Sequence, residues 1–310
     1  MIDTVSLTHA IMPLAERHLL DIGATHPKGR TCWTINPRDG EALPSLTFQR
    51  QPDGVQRLTA RQSLPRLRHG HNAILQRSQT DIFAELGLMA DAIYRRTGIV
   101  FNPLTANVTG VHFTRDLSIG RELITPTLTR LEPRRLPRYT WLRLDHGIEY
   151  KQRSSSVQIY SKYHEMQKQV MRGTIPKEHQ SDALEAADGV LRVECKQTLA
   201  SLDRLQRRAS KTRIAKDVLT PELSNFVIDT FLEKLQFNDA LNNAESNRPL
   251  DRLIEVHGAL RAVRLIGFLL MIESYGSDFW KLDHLDYKRR SYFDNLKLCR
   301  DAGVWNAKTL

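Results

Sequence analysis

Two short segments of the chain carry side chains suited to phosphoryl transfer. One spans residues 156 to 165 and contains Tyr160 and Lys162; the other spans residues 190 to 196 and contains Glu194. Both are typical of β-strands, in which alternate residues share a face, so Tyr160 and Lys162 are predicted to lie side by side. A phenol has an ordinary pKa of about 10, and a nearby ammonium or metal ion turns it into a nucleophile. Two interpretations follow. Either Tyr160 attacks phosphorus while Lys162 lowers its pKa or orients the phosphate, or a strand aromatic simply packs beside a lysine.

Glu194 is the first candidate metal ligand. In the predicted strand Val190 to Lys196, Leu191 and Val193 face the core, so Arg192, Glu194 and Lys196 share the other face. A carboxylate between two cations is either part of an ion pair or a hard ligand for a divalent cation that also contacts phosphate.

Two histidines are further candidate ligands. His112 alternates with Val111 and Phe113 in a predicted strand, and imidazole binds Mn²⁺ better than Mg²⁺. His71 follows His69 with Gly70 between them. In an extended segment the two imidazoles would share a face at a spacing that suits a metal, whereas Gly70 fits a turn equally well. A hydrogen-bonded histidine without a metal is the alternative at both positions.

The charge of the chain predicts an anionic partner. Its 45 Lys and Arg residues exceed its 35 Asp and Glu residues, which gives a formal net charge of +10. Such an excess is typical of proteins that bind nucleic acid or anionic membranes, although it also serves simple solubility. Three basic clusters are candidate phosphate-binding surfaces. Their DNA-binding residues are predicted to be Arg134, Arg135, Arg138, Arg207, Arg208, Lys288, Arg289 and Arg290.

Cysteine use and hydropathy predict a compartment. The three scattered cysteines, Cys32, Cys195 and Cys299, form neither a disulfide framework nor a zinc spacing, which favours a reducing cytoplasm. The N-terminal segment carries Asp3 where a secretion signal has basic residues. The longest apolar run, from residue 265 to 272, is too short to cross a bilayer, so no membrane partner is expected.

Periodicity predicts an α+β fold. Strands are expected at residues 2–8, 31–35, 45–49, 55–60, 108–113, 138–144, 157–162 and 190–196. Helices are expected at residues 13–20, 80–97, 117–131, 177–187, from 220, at 249–274 and at 288–301. Strand patterns end near residue 200. The predicted organisation is therefore an antiparallel-sheet α+β domain over residues 1–205 and a mostly helical domain over residues 206–310.

Several of these segments, in this order, resemble the gene II / gene X replication initiators of filamentous phages. The resemblance covers roughly residues 1–200 and rests on the opening Met1-Ile2-Asp3, residues 67–72, residues 108–114, residues 157–167 and residues 188–194. Its most specific parts are the Tyr-x-Lys strand followed by Leu-Arg-x-Glu, and the Gly-His-Asn element. The same Tyr-x-Lys and Arg-x-Glu pair is also similar to the initiators of small rolling-circle plasmids.

The resemblance implies a function. Family members nick the plus strand of a double-stranded origin, remain linked to the 5′ end and later rejoin the displaced strand. The family tyrosine falls on Tyr160, the lysine on Lys162 and the carboxylate on Glu194. It implies a metal-dependent nicking domain in a bacterial cytoplasm. In this chain we expect Glu194 and His112, with His71 as a further candidate, to hold one Mg²⁺ or Mn²⁺. Origin duplex, single-stranded DNA and the host helicase and replication machinery are the implied partners.

His112 keeps an alternative to the nickase open. Relatives tend to have aspartate at the position of His112, which implies either a preference for Mn²⁺ or a site completed by another group such as His71 or Glu165. If the site is lost, the chain is a non-catalytic DNA-binding regulator of the same fold.

The C-terminal segment from residue 285 to 304 is similar to the second helix of a helix-turn-helix, which could read the origin. A packing helix is the other interpretation of that segment.

Overall fold

A single antiparallel sheet of nine strands organises the chain. The computed structural model describes residues 1–26, 32–37, 43–132, 134–209, 212–246, 249–275, 279–282 and 287–305. Every ladder between neighbouring strands is antiparallel, and the spatial order is β2-β3-β4-β1-β5-β9-β8-β7-β6. The strands are β1 (Ile2–Ile11), β2 (Cys32–Ile35), β3 (Ser45–Arg50), β4 (Gln56–Ser63), β5 (Asn107–Ser118), β6 (Thr140–Leu144), β7 (Gly147–Lys151), β8 (Ser155–Ser161) and β9 (Val190–Thr198).

The two faces of the sheet differ because polar and apolar residues alternate along its strands. One face is apolar and buried; it carries Val5, Val111, Val193 and Ile159 from four neighbouring strands. The opposite face is polar, and cross-strand pairs such as Ser6 with Gly110 and Arg61 lie on it. Every sequence-predicted catalytic side chain on a strand belongs to this polar face.

Helices cover the apolar face. The helix Gln79–Thr97 buries Ile82, Leu86, Met89 and Ile93, the stripe that the sequence predicts. Its start is fixed by a capping box in which the Ser78 hydroxyl accepts from the amide of Asp81, so the helix begins at Gln79, one residue before the predicted start at residue 80. The helices are α1 (Glu16–Asp21), α2 (Leu64–His69), α3 (Gln79–Thr97), α4 (Arg121–Leu131), α5 (Lys162–Met171), α6 (Gln180–Ala186), α7 (Leu199–Ala209), α8 (Ala215–Val218), α9 (Pro221–Lys234), α10 (Phe237–Ser246), α11 (Pro249–His257), α12 (Ala259–Tyr275) and α13 (Arg289–Asp301).

The buried residues form two large hydrophobic clusters. The first unites the sheet with α3, α4 and α9 and extends to Ala240 in α10. The second begins at Leu253 and includes residues of α12 and α13 up to Ala302. The boundary between the clusters therefore lies near residue 250 and does not coincide with the domain division predicted at residue 205.

Some predicted elements have different bounds. The expected polar connection between residues 144 and 157 contains β7, and the helix expected over 249–274 is divided at Gly258, whose φ of +77° favours glycine. Pro126 lies inside α4, which runs on to Leu131. Within the described ranges, no helix combines the length and the apolar character that a membrane crossing requires.

Candidate active site

Three side chains from three adjacent strands form a hydrogen-bonded line on the polar face. The hydroxyl of Tyr160 in β8 donates to Oε2 of Glu194 in β9 at 2.9 Å. The other carboxylate oxygen of Glu194 lies 2.8 Å from Nδ1 of His112 in β5. The ladders explain this meeting, because Gln158 pairs with Glu194, and Thr114 pairs with Glu194 from the other side. The sequence singled out all three groups, and the sheet brings them together.

The electrostatics of this line favour a charged Glu194 and a neutral phenol. Burial alone would raise the pKa of Glu194, but the hydrogen bond and charge of His112, together with Lys196, hold it well below its usual range. Burial, followed by the negative charge of Glu194, raises the pKa of Tyr160 well above its usual value. The resting site therefore holds a protonated tyrosine that donates to a carboxylate.

Arg192 supplies a fixed positive charge beside the tyrosine. It is fully buried, and its Nε and Nη2 contact the two oxygens of Asp116 at 2.6 and 2.7 Å. Burial opposes its charge, but Asp116 outweighs that effect and raises the pKa of Arg192. The charge of Arg192 lowers the pKa of Tyr160 and so acts against the effect of burial. The sequence indicated Arg192 only as a neighbour of Glu194. Its partner Asp116 was missed because the predicted strand ended at residue 113, whereas β5 continues to Ser118.

Lys162 does not share the strand face of Tyr160. Strand β8 ends at Ser161, and Lys162 is the first residue of α5, so the prediction that the two side chains project together from one strand is wrong. The ammonium group is fully buried, pairs with Glu165 and donates to Oδ1 of Asn72 at 2.9 Å. Burial lowers the pKa of Lys162, with the charge of Arg192 acting in the same direction. Through these contacts Lys162 connects α5 to the segment that follows α2.

Asn72 is the residue of the Gly-His-Asn element that connects to this centre. Its side chain donates to Oδ2 of Asp3 at 3.0 Å and accepts from Lys162, while its backbone oxygen accepts from Arg192 at 2.6 Å. Asp3 lies on β1, beside a register shift between Ile2 and Val5 in the ladder with β5. Such bulges re-aim side chains next to functional sites. In the sequence, Asn72 and Asp3 belong to segments that carry the resemblance, but neither residue is predicted to take part in the site.

His71 has a different environment from Glu194 and His112. Helix α2 ends at His69, and Gly70 has a φ of +72°, so the segment is a turn and His69 and His71 are not on an extended strand. The His71 ring is buried and lies 6.5 Å, between centroids, from that of His179. Burial lowers its pKa to about 4, with the charges of His69 and His179 adding to the effect. Gly70 is also required for space, because a Cβ there would meet the His179 ring at 2.4 Å.

Gly147 allows β7 to approach the tyrosine. It pairs with Tyr160 across the β7–β8 ladder. A Cβ at Gly147 would lie 2.5 Å from the Cβ of Tyr160 and 2.6 Å from the backbone oxygen of Ile159. Since neither atom belongs to the flexible end of a side chain, only glycine fits without a shift of one strand.

The donors at the site suit a cation that is shared with a substrate. Within the described parts of the chain, no group of three or more His, Cys, Asp or Glu side chains is placed to hold a metal ion. Glu194 and His112 provide two donor atoms 2.8 Å apart. Two protein donors fit a divalent cation that completes its shell with water and substrate phosphate oxygens, and the imidazole donor favours Mn²⁺ over Mg²⁺. Of the three predicted ligands, the structure places Glu194 and His112 together and His71 elsewhere.

The described side chains of the predicted basic clusters make contacts other than with Tyr160, Glu194 and His112. Arg134 donates to the backbone oxygens of Leu235 and Gln236 at 2.7 and 2.8 Å, and Arg135 lies 4.5 Å from the ring centroid of Trp141. Arg138 is exposed. Lys288 precedes α13, and Arg289 and Arg290 begin it, all three exposed. The side chains of Arg207 and Arg208 in α7 lie outside the described residues.

No family model, no curated protein and no solved structure matches this chain. The geometry and chemistry of Tyr160, Glu194 and His112 on the polar face of the sheet are therefore the evidence for function.

Proposed function

We propose that the chain is a metal-dependent DNA nickase and strand-joining enzyme that initiates rolling-circle replication. The observation that carries this proposal is the line in which the Tyr160 hydroxyl donates to Glu194 and Glu194 pairs with His112. A nucleophile, a proton acceptor and a group that orients the acceptor are the three parts of an activated nucleophile. The net charge of +10 suits a polyanionic substrate.

The proposed reaction is a transesterification. The Tyr160 oxygen bonds to the scissile phosphorus, and the bond from phosphorus to the 3′-oxygen breaks. The phenolic proton is lost to water by way of Glu194, the acceptor in hydrogen-bond contact, and the leaving 3′-oxygen takes up a proton from water to give a 3′-hydroxyl. The 5′-phosphate stays on the protein as a phosphotyrosine ester. Attack of a 3′-hydroxyl on that ester reverses the step and joins the strand.

Each neighbouring group has a role in this scheme. Glu194 and His112 would hold the divalent cation, which polarises the phosphate and favours loss of the 3′-oxygen. Arg192, kept charged by Asp116, favours the phenolate of Tyr160. Lys162 donates to the side chain of Asn72, and Arg192 donates to the backbone oxygen of the same residue. Lys162 therefore acts on the tyrosine indirectly, by positioning the segment that also contacts Arg192. His112, an imidazole ligand, favours Mn²⁺ over Mg²⁺.

The test is cleavage of supercoiled DNA that carries the chain's own replication origin, in Mn²⁺, Mg²⁺ or EDTA. A denaturing gel should show nicked DNA with protein attached to its 5′ end. Tyr160→Phe and Glu194→Gln should both lose the product, whereas Tyr94→Phe, an exposed tyrosine on α3, should retain it. A covalent product that persists in Tyr160→Phe would refute the assignment of the nucleophile.

One observation favours a second function. His112 occupies the position at which similar initiators tend to have an acid, and it pairs directly with the carboxylate that would bind the metal. A regulator that binds the origin without cutting it is compatible with this pairing. Tight binding of the origin with no nick in either metal would select the regulator. Recovery of cutting by His112→Asp would then identify His112 as the cause.

A further inference from the structure

A groove without acidic residues lies next to the candidate active site. It has a volume of about 370 Å³ and is lined by residues of β1, β4, β5, β9 and the β7–β8 turn. Arg61, Lys151, Arg153 and Lys196 contribute four cations, and no Asp or Glu is among the described residues that line it. None of the three basic clusters noted in the sequence contributes a residue to this lining.

The sheet register places these cations on the face that carries Tyr160. Arg61 pairs with Ser6 across the β1–β4 ladder, and Ser6 pairs with Gly110 of β5. His112 pairs with Lys196, and Lys196 pairs with Ser156. Adjacent strands are about 4.8 Å apart, so the lining from β4 to β9 spans about 14 Å across the sheet. The groove therefore runs across the strands and not along them.

The groove leads directly to the reactive groups. His112 and Lys196 line it, and both contact Glu194, with Nζ of Lys196 3.7 Å from Oε1 of the carboxylate. Ser156 lines the groove and Tyr160 lies four residues further along the same strand, which corresponds to about 13 Å. A chain molecule that fills the groove can thus present its next segment to the tyrosine.

The cations of the groove are available to a ligand. Arg61, Lys151 and Arg153 are exposed, and none of their side chains has an ion-pair partner among the described residues. Arg204 donates to the hydroxyl of Ser154 in the lining and adds a fifth positive charge at the rim. Serine and threonine hydroxyls fill the space between the cations, and such hydroxyls donate to phosphate oxygens.

We infer that this groove binds the sugar-phosphate backbone of single-stranded DNA and guides it to Tyr160. The guiding role rests on the proposed function, whereas binding of the strand does not. A groove of about 370 Å³ lined by cations and hydroxyl groups suits the backbone of a single strand. No aromatic side chain other than His112 lines it, so bases have no stacking platform there and recognition is through phosphates, with little sequence preference.

Salt dependence provides a quantitative test. Each phosphate neutralised on a single strand contributes about −0.7 to the slope of log K against log salt, so the three available cations predict a slope of about −2.1. The protein used is full-length Tyr160→Phe, which cannot cut, and the probe is a fluorescent DNA oligonucleotide of mixed sequence. The double variant Lys151→Gln/Arg153→Gln should make the slope less steep by about 1.4 and weaken binding about 25-fold at 0.1 M salt.

A charge-matched control separates the groove from net charge. Lys216 and Lys234 are exposed on α8 and α9, helices that pack against the apolar face. Lys216→Gln/Lys234→Gln should change neither slope nor affinity. Equal loss in the control and groove variants would overturn the proposal, as would loss caused by Arg134→Gln/Arg135→Gln alone. Tighter binding of an RNA oligonucleotide of the same sequence would overturn the choice of DNA.

The outcomes also separate this inference from the proposed function. If the groove variants lose DNA binding but unsubstituted protein never nicks DNA, the groove stands and the nickase is refuted. If the protein nicks DNA and the groove variants bind as tightly as the parent, the nickase stands and the groove is refuted.

Discussion

The stacked pair His146 and His164 predicts a marked loss of stability in mild acid. Their rings are 3.6 Å apart between centroids and nearly parallel, at 10°, and His164 is only 4% exposed. Burial lowers the pKa of His164 to about 3, and the charge of His146 adds to this effect. Burial also lowers the pKa of His146 to about 4. Both rings are therefore neutral in the folded protein across the neutral range.

The sign and size of the effect follow from linkage between protonation and folding. The unfolded chain takes up protons on both rings below pH 6.5, whereas the folded chain does not until pH 4 or below, so stability falls as the pH decreases through this window. Between pH 6.5 and 5.0, a span of 1.5 pH units, proton uptake by each ring in the unfolded chain lowers the free energy of unfolding by about 1.36 kcal/mol per unit. This amounts to about 2 kcal/mol for each ring. The pair therefore costs about 4 kcal/mol, a large part of the typical stability of a domain.

The test is urea unfolding at pH 7.5, 6.5, 5.5 and 5.0, followed by circular dichroism. In His164→Asn, an amide can retain the hydrogen bond that Nδ1 of His164 makes with the Ser161 hydroxyl at 2.9 Å, but it cannot titrate. This variant should lose about 2 kcal/mol of the pH dependence. His18→Asn, at an exposed position of α1, controls for removing an imidazole that is not buried. Parallel stability curves for His164→Asn and unsubstituted protein would refute the reasoning.

Three further substitutions or reactions test the structure. Gly147→Ala should force β7 and β8 apart because its Cβ has no room, and should cost about 1–3 kcal/mol in urea unfolding and displace the nucleophile enough to reduce nicking about 100-fold. Unchanged unfolding and activity would show that the strands do not approach so closely. Ser78→Ala should cost about 1 kcal/mol in the same unfolding assay through loss of the α3 cap, and no cost would argue against the capping box. Thiol titration of folded protein should label Cys32 quickly and spare Cys195 and Cys299, because burial raises the pKa of both buried thiols; three fast thiols would contradict their burial.

The sequence predicts the strands of the site well because one face of the sheet is buried. Polar and apolar residues alternate along residues 111–113, 157–161 and 191–196, so the polar side chains within each of β5, β8 and β9 could be placed on one face before their pairing was known. The mixed fold with an antiparallel sheet is confirmed. The meeting of Tyr160 with Glu194 depends on the β8–β9 register, which local periodicity does not contain.

The roles of Lys162 and His71 could not be predicted for related reasons. Alternation does not reveal where β8 ends: the strand stops at Ser161, one residue before its predicted end, and α5 begins at Lys162. The burial of its ammonium group depends on Asn72, which lies 90 positions earlier in the chain. At His71 the signal was present in Gly70, whose need for a positive φ favours a turn over the extended segment that a shared metal site requires. The predicted catalytic and metal-binding roles of these residues stay predictions.

The order of the strands has a consequence for how the protein comes into being. Strand β9 is the last strand in the sequence, yet it lies in the interior of the sheet between β5 and β8. Before Val190–Thr198 has been synthesised, the strands form two groups that are not hydrogen-bonded to each other, β2-β3-β4-β1-β5 and β8-β7-β6. The strand that joins them is the one that carries Arg192 and Glu194. An unfinished polypeptide on the ribosome therefore contains the tyrosine without its carboxylate partner, and the candidate active site is assembled only in the step that joins the two halves of the sheet.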